Sequence, residues 1–232
     1  MRVAVFGCTG KTGKYVVDYL ISNGISISVL VRDKKKLGPV VDNPLMVQIT
    51  EGSPRDFESV KRTIEGSDVV VSCLGTIGYG NESEGLMLAS CRNFVEAMKQ
   101  CGVKKLVIMG GIMVAAPKDG YTLASLVRPV LYFMPAFQDA VELMKFAQSD
   151  EVKSSIDWII VRAPRLIDND LNVENYAHYK DCLMTAFTRT CTFQSAAHFI
   201  VEVAKQASAK PNEGDTHYWI EYLHESPTII ST

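Results

Sequence analysis

The residues from Met1 to Asp33 constrain this chain more than any other stretch, because they set a glycine at every third position between two short apolar runs. Arg2 to Phe6 is a β-branched run suited to a buried parallel strand, and it breaks at Gly7, Gly10 and Gly13. Val16, Val17, Leu20 and Ile21 then take up helical spacing until Gly24 ends the helix, and Ile25 to Val31 supplies a second apolar run. A strand, crossover helix and parallel strand joined in this way place the glycine turn at the carboxyl end of the first strand. That end is where open α/β sheets bind ligands.

Glycines at such a turn let a diphosphate come within hydrogen-bonding distance of backbone N–H groups at a helix N-terminus, where the helix dipole favours negative charge. Thr9 and Thr12 add hydroxyl donors, and Lys11 follows Gly10. The spacing is G-x-x-G-x-x-G; it is neither G-x-G-x-x-G nor the four-residue gap of a Walker A loop. An ordinary tight turn is the structural alternative, and the flanking strand and helix weigh against it.

The second strand ends in Leu30-Val31-Arg32-Asp33, about twenty residues beyond the glycines, where the ribose of an adenosine half belongs. An acid there prefers a free 2'-hydroxyl, whereas a guanidinium makes a bidentate contact to a 2'-phosphate. Arg32 comes first and Lys34, Lys35 and Lys36 raise the local positive potential, so the expected cofactor is NADP(H) over NAD(H). Asp33 argues the other way, and a solvated charge run is the structural alternative.

A net charge of −2 and a sequence pI of about 6.1 give no electrostatic case for nucleic acid or an anionic membrane as partner. Met1-Arg2 leads straight into the first strand, and no stretch reaches about 18 uncharged apolar residues, so neither a signal peptide nor a membrane span is expected. The cysteines at 8, 73, 91, 101, 182 and 191 show no C-x-x-C and no Cys/His metal spacing. They read as reduced thiols of a cytoplasmic protein without a metal site, with Cys8 as a small filler in the turn.

Beyond the opening unit, strands alternate with helices. Strands are expected at 46–49, 68–74, 106–109, 158–161, 191–193 and 216–220. Helices are expected after Asp56, from Leu86 to Cys101, from Ala136 to Ser149, and from a cap at Ser195 to Ala207. Irregular spans at 76–85, 112–135 and 167–190 separate them, and no repeat or linker divides residues 1–232. This pattern argues for one doubly wound parallel α/β sheet with helices on both faces.

The stretches Val5 to Gly13, Leu30 to Asp33, Arg92 to Lys99, Gly102 to Val107 and His198-Phe199 resemble the atypical short-chain dehydrogenase/reductase group. Within it the similarity is to biliverdin-IXβ reductase/flavin reductase proteins and their NmrA-like relatives. The resemblance implies a Rossmann-like fold in which Gly10 to Gly13 hold the diphosphate, Arg32 and Lys36 take the 2'-phosphate, Ser53 and Pro54 lie by the adenine, and Leu74 and Gly75 pass under the ribose. Gly7, Met109, Gly110, Gly111 and Pro164, all near strand ends, complete the expected cofactor contacts.

The catalytic side departs from that family. The helix after strand five reads Phe137-Gln138-Asp139-Ala140-Val141-Glu142, without the Tyr-x-x-x-Lys pair whose phenol would donate a proton. Tyr176 and Lys180 have that spacing but lie after strand six, where coincidence explains them better. Gly111 stands where flavin and biliverdin reductases close strand five with serine, and Arg165 stands where they carry histidine.

Two functions follow. One is an NADPH-dependent reductase acting on a flavin, quinone or tetrapyrrole-like conjugated acceptor, which needs little acid catalysis. Gly110 and Gly111 would then seat flat rings, and Arg165 would stabilise negative charge on the acceptor. An ion pair with Asp168 is the alternative for Arg165. Loops 112–135 and 165–190 would form the acceptor side, with Tyr121, Tyr132, Phe133, Met134 and Phe137 as candidate walls or plain core. The other function is a non-catalytic, NmrA-like NADP(H) sensor working through a protein partner.

Overall fold

The computed structural model describes residues 1–75, 85–111, 135–169, 173–180, 189–207 and 217–231. The opening unit is a strand β1 (Arg2–Phe6), a helix α1 (Lys11–Ser22) and a strand β2 (Ser26–Val31), with Gly24 at φ 69° turning the chain between helix and strand. β3 (Met46–Glu51), α2 (Phe57–Ile64) and β4 (Val69–Ser72) follow, and Asp56 caps α2 by accepting the Ser59 N–H at 3.1 Å. Next come α3 (Leu86–Cys101), β5 (Lys105–Gly111), α4 (Pro135–Ala147), α5 (Asp150–Lys153) and β6 (Asp157–Ala163). The chain ends with β7 (Arg165–Ile167), β8 (Tyr176–Tyr179), β9 (Thr190–Thr192), α6 (Phe193–Gln206), α7 (Tyr218–Glu221) and β10 (Thr228–Ser231).

Eight strands form one sheet in the order β3-β2-β1-β4-β5-β6-β10-β8, and β7 with β9 makes a small second sheet. Every pair from β3 to β10 is parallel, while the edge strand β8 runs antiparallel to β10, with Tyr176 opposite Ser231 and Tyr179 opposite Thr228. The first six strands have the Rossmann order, which reverses direction between β1 and β4. Helices cover both faces because the strands are buried on both. Val3, Val5, Val29 and Val71 pack with Val16, Leu20, Phe199 and Ile200 of α1 and α6. On the opposite face Ala4, Phe6, Val70 and Ile108 pack with Ile64, Phe94, Met98 and Leu143 of α2, α3 and α4.

Several expectations need correction. The last strand lies at Thr228–Ser231, not at 216–220, where Tyr218–Glu221 is a helical turn; Thr216 lies outside the described residues. Trp219 and Tyr222 are three apart and both buried, which is helical spacing hidden in an aromatic run that resembles a strand. The cap of α6 is Thr192, whose hydroxyl accepts the Ser195 N–H at 2.9 Å, so Ser195 is the residue capped. Ser149 does not close α4; its side chain caps the short α5. The span 167–190 is not all loop, since β8 lies within it and adds the antiparallel edge.

Candidate functional site

The strand-order reversal leaves a crevice above the carboxyl ends of β1 and β4, and the glycine turn sits on it. The glycines meet three different demands. Gly7 has φ +78°, and a Cβ there would stand 2.8 Å from the carbonyl of Cys73. A Cβ on Gly13 would lie 2.0 Å from the Gly7 carbonyl oxygen, so Gly13 lets α1 start against the end of β1. Gly10 is extended (φ −76°, ψ 169°), and among the described residues its Cβ would approach only the Gly7 oxygen, at 3.2 Å. Its glycine is therefore required least by the chain itself.

Gly10 is also the N-cap of α1, and a glycine brings no side chain to cap the helix. No acid stands in the first turn. The first-turn N–H groups and the helix dipole thus face the crevice with no side-chain oxygen of the cap residue before them, which suits a diphosphate. Thr12 is buried at this turn and Thr9 is half-buried. Lys11 reaches the other way: its ammonium pairs with Asp168 at 2.8 Å and lies 5.0 Å from the centre of the Phe193 ring. Asp168 is thereby taken by Lys11, which corrects the alternative of an Arg165–Asp168 pair. Cys8 is buried, burial pushes its thiol up to about 12, and it fills the turn as an apolar group.

Arg32 is exposed directly after β2, and Lys36 is exposed in a 3-10 stretch, Lys34–Asp42. Asp33 caps that stretch, its carboxylate accepting the Lys35 N–H at 2.9 Å. The acid that weighed against a 2'-phosphate is thus engaged with the backbone of its own turn. Ser53 accepts the Arg55 N–H at 3.2 Å, and the Pro54 carbonyl accepts from Asn93 of α3 at 3.0 Å, which fixes the turn where the adenine is expected. Leu74 is half-buried and Gly75 exposed at the exit of β4, and a Cβ on Gly75 would meet nothing within 4 Å among the described residues.

β5 and β6 run side by side to their ends, with Met109 opposite Val161, Gly110 opposite Arg162 and Gly111 opposite Ala163. Pro164 is buried, and Arg165 is exposed at the start of β7, opposite Thr190. Arg162 is the residue that sequence reasoning passed over. It is 0% exposed and donates from Nε to the Ser226 carbonyl at 2.7 Å, tying β6 to the approach of β10. Its place in an apolar strand, followed by Ala163-Pro164, was the available signal.

Tyr176 and Lys180 have separate partners. The Tyr176 hydroxyl lies 3.1 Å from Nδ1 of His198, and burial pushes its phenol up. The Lys180 ammonium lies 3.7 Å from Glu221. On α4, Asp139 is buried and accepts the backbone N–H groups of Met87 and Leu88 at 2.9 Å each. Of the candidate acceptor walls, Phe137 is 5% exposed core, and Tyr121, Tyr132, Phe133 and Met134 lie outside the described residues. Among the described residues no acidic, histidine or cysteine cluster could hold a metal, five cysteines are free thiols, and no helix is long and apolar enough to cross a membrane.

Residues 7–207 match the NAD(P)H-binding family. An uncharacterized chloroplastic protein of Arabidopsis thaliana is 26% identical over 174 residues, covering 73% of this chain and 60% of that protein. The chloroplastic divinyl chlorophyllide a 8-vinyl-reductase of the same plant is 29% identical over 174 residues, covering 70% of this chain and 38% of the reductase. The chain therefore spans less than two thirds of the length of these relatives. Among solved structures, an anaerobillin reductase from Escherichia coli O157:H7 superposes with a TM-score of 0.71 at 12% identity, over 100% of this chain and 97% of that one. At that identity the likeness is one of fold.

Proposed function

The chain belongs to the NAD(P)H-binding family, and we propose that it is an NADPH-dependent reductase acting on a flat conjugated acceptor. The observation that carries the reading is the N-terminus of α1, whose N-cap is Gly10 with no side-chain cap and which lies at the switch point of the sheet. The residues present fit a dinucleotide there: Gly10 to Gly13 would hold the diphosphate, Arg32 and Lys36 the 2'-phosphate, Ser53 and Pro54 the adenine. Leu74 and Gly75 would lie by the ribose, and Met109, Gly110, Gly111 and Pro164 by the nicotinamide. When bound, NADPH supplies the hydride.

Support for a conjugated acceptor comes from the state of the acid candidates. Asp139 is engaged at α3, Tyr176 at His198 and Lys180 at Glu221. An acceptor that delocalises the arriving charge needs none of them, because solvent can deliver the proton. Arg165 would stabilise that charge. One of the relatives in sequence is named a divinyl chlorophyllide a 8-vinyl-reductase, which supports placing tetrapyrroles beside flavins and quinones in the acceptor class.

The test mixes purified protein and NADPH with FMN, a quinone and a bilin in turn and follows loss of NADPH absorbance. Consumption above the protein-free rate with one acceptor is the expected result. Tight NADPH binding without consumption with any of them overturns the reductase reading in favour of an NADP(H) sensor with a protein partner.

Cofactor preference has its own test. A charge-assisted contact to a 2'-phosphate is worth about 1.5–3 kcal/mol, so Arg32→Ala is expected to weaken NADPH by roughly 10- to 100-fold and leave NADH nearly unchanged. Titration calorimetry with both cofactors measures it, and equal losses would remove Arg32 from the 2'-phosphate site.

A further inference from the structure

Helix α3 begins without a cap of its own. Its N-cap is Gly85, held at φ 62°, and no acid stands in its first turn. The missing acceptors come from another helix: Asp139 of α4, 4% exposed, takes the Met87 N–H on one carboxylate oxygen and the Leu88 N–H on the other, both at 2.9 Å. A carboxylate buried at a helix N-terminus is stabilised by the dipole and by the two charge-assisted bonds, and it fixes the position of that turn tightly. Arg92 stacking on Phe146, 5.0 Å from the ring centre, joins the same two helices a turn further along.

The turn held in this way forms a wall. Met87, Ser90, Cys91 and Phe94 of α3 close a small recess whose other side is Leu74, at the exit of β4, and Ile108 of β5. Ser90 is 1% exposed, and its hydroxyl has no hydrogen-bond partner among the described residues. Leu74 is a proposed ribose contact and Ile108 directly precedes Met109, Gly110 and Gly111, the proposed seat of the nicotinamide, so the first turn of α3 walls that half of the site, while Asn93 further along the same helix holds Pro54 at the proposed adenine seat.

We propose that Asp139 is a positioning residue: by capping α3 from α4 it sets the wall against which the nicotinamide half of the site is built. The proposal rests on the NADPH reading above. It assigns a task to the helix that carries the Tyr-x-x-x-Lys pair in short-chain reductases, where this chain has Phe137-Gln138-Asp139-Ala140-Val141-Glu142.

The experiment compares wild type with Asp139→Asn, which cannot accept both N–H groups, and Met87→Ala, which trims the wall and leaves the cap in place. Thr192→Ala, which removes the cap of α6, controls for lost stability alone. Three quantities are read: affinity for 2',5'-ADP, the nicotinamide fluorescence of bound NADPH, and turnover with whichever acceptor is active. The expected result is 2',5'-ADP affinity within twofold of wild type in every variant. The nicotinamide signal should fall by half or more and turnover about 10²-fold in Asp139→Asn, as displacing a positioned reactant by about 1 Å does. Met87→Ala should change in the same direction and Thr192→Ala should keep both readouts.

Loss of 2',5'-ADP and NADPH affinity in equal proportion, or a lower melting temperature with unchanged fluorescence and turnover, overturns the proposal. If Asp139→Asn does not fold, an unchanged signal in Met87→Ala does so. A wild type that binds NADPH without consuming it refutes the reductase reading alone, since the fluorescence of the bound nicotinamide still judges Asp139.

Discussion

Gly10→Val is expected to keep its fold and lose NADPH. The extended backbone at φ −76° and ψ 169° accepts a β-branched residue, and among the described residues the added Cβ meets only the Gly7 oxygen, at 3.2 Å, which a shift of a few tenths of an ångström relieves. The valine methyls would nevertheless stand over the first-turn N–H groups of α1, where a diphosphate needs close approach. Losing two charge-assisted N–H contacts costs about 3–6 kcal/mol of binding, or roughly 10²- to 10⁴-fold in affinity. Calorimetric titration with NADPH, beside the circular dichroism spectrum and melting temperature, measures both halves. Unchanged affinity would show that the turn is only structural.

Gly13→Ala should behave in the opposite way, and the pair separates binding from folding. Its Cβ would lie 2.0 Å from a backbone oxygen and 2.8 Å from a backbone carbon, neither of which can rotate aside as a side chain could. Moving α1 off β1 to make room should cost about 3 kcal/mol of stability and lower the melting temperature of the apoprotein. A Gly13→Ala protein as stable as wild type would mean that the contact between helix and strand is looser than its geometry.

The contrast between those glycines also shows what the sequence can disclose. Periodicity marked β1, α1 and β2 because Val3, Val5, Val16, Leu20 and Val29 repeat at the spacing of the element each occupies and are all buried. G-x-x-G-x-x-G by itself points only to a ligand, whereas Gly7 and Gly13 are also required by the close approach of Cys73 and of the turn's own backbone, a tertiary fact that no spacing encodes. Asp33 was ambiguous for the same reason. Its identity argued for a ribose, and only the conformation of the turn shows its carboxylate on the Lys35 N–H. The roles of Asp139 and Arg162 were illegible because their partners, Met87, Leu88 and Ser226, lie 51–64 positions away in sequence. β10 was missed because four residues after a proline carry too little pattern, whereas its neighbours β8 and β6 supply the pairing that makes it a strand.

Arg165→Ala is expected to lower turnover by about 10²-fold, and Tyr176→Phe to leave it nearly unchanged. Arg165 stands one residue beyond the buried Pro164, at the carboxyl end of β6, where side chains of a doubly wound sheet can reach a ligand. It is exposed, and Lys11 has taken the Asp168 carboxylate that would otherwise engage it. A guanidinium so placed can meet charge as it develops on the acceptor, which is the kind of contact whose loss lowers turnover rather than binding alone. Tyr176 is the other candidate only by its spacing to Lys180. Its hydroxyl is 3.1 Å from His198, its phenol is pushed up by burial, and Lys180 lies 3.7 Å from Glu221, so no ammonium assists it. Removing that hydroxyl should cost about 1 kcal/mol of stability through the lost His198 bond and little else. Steady-state kinetics on both variants with the active acceptor decide between them. If Tyr176→Phe abolishes turnover while Arg165→Ala keeps it, the proton donor is a displaced tyrosine at the sheet edge and Arg165 has no part in the reaction.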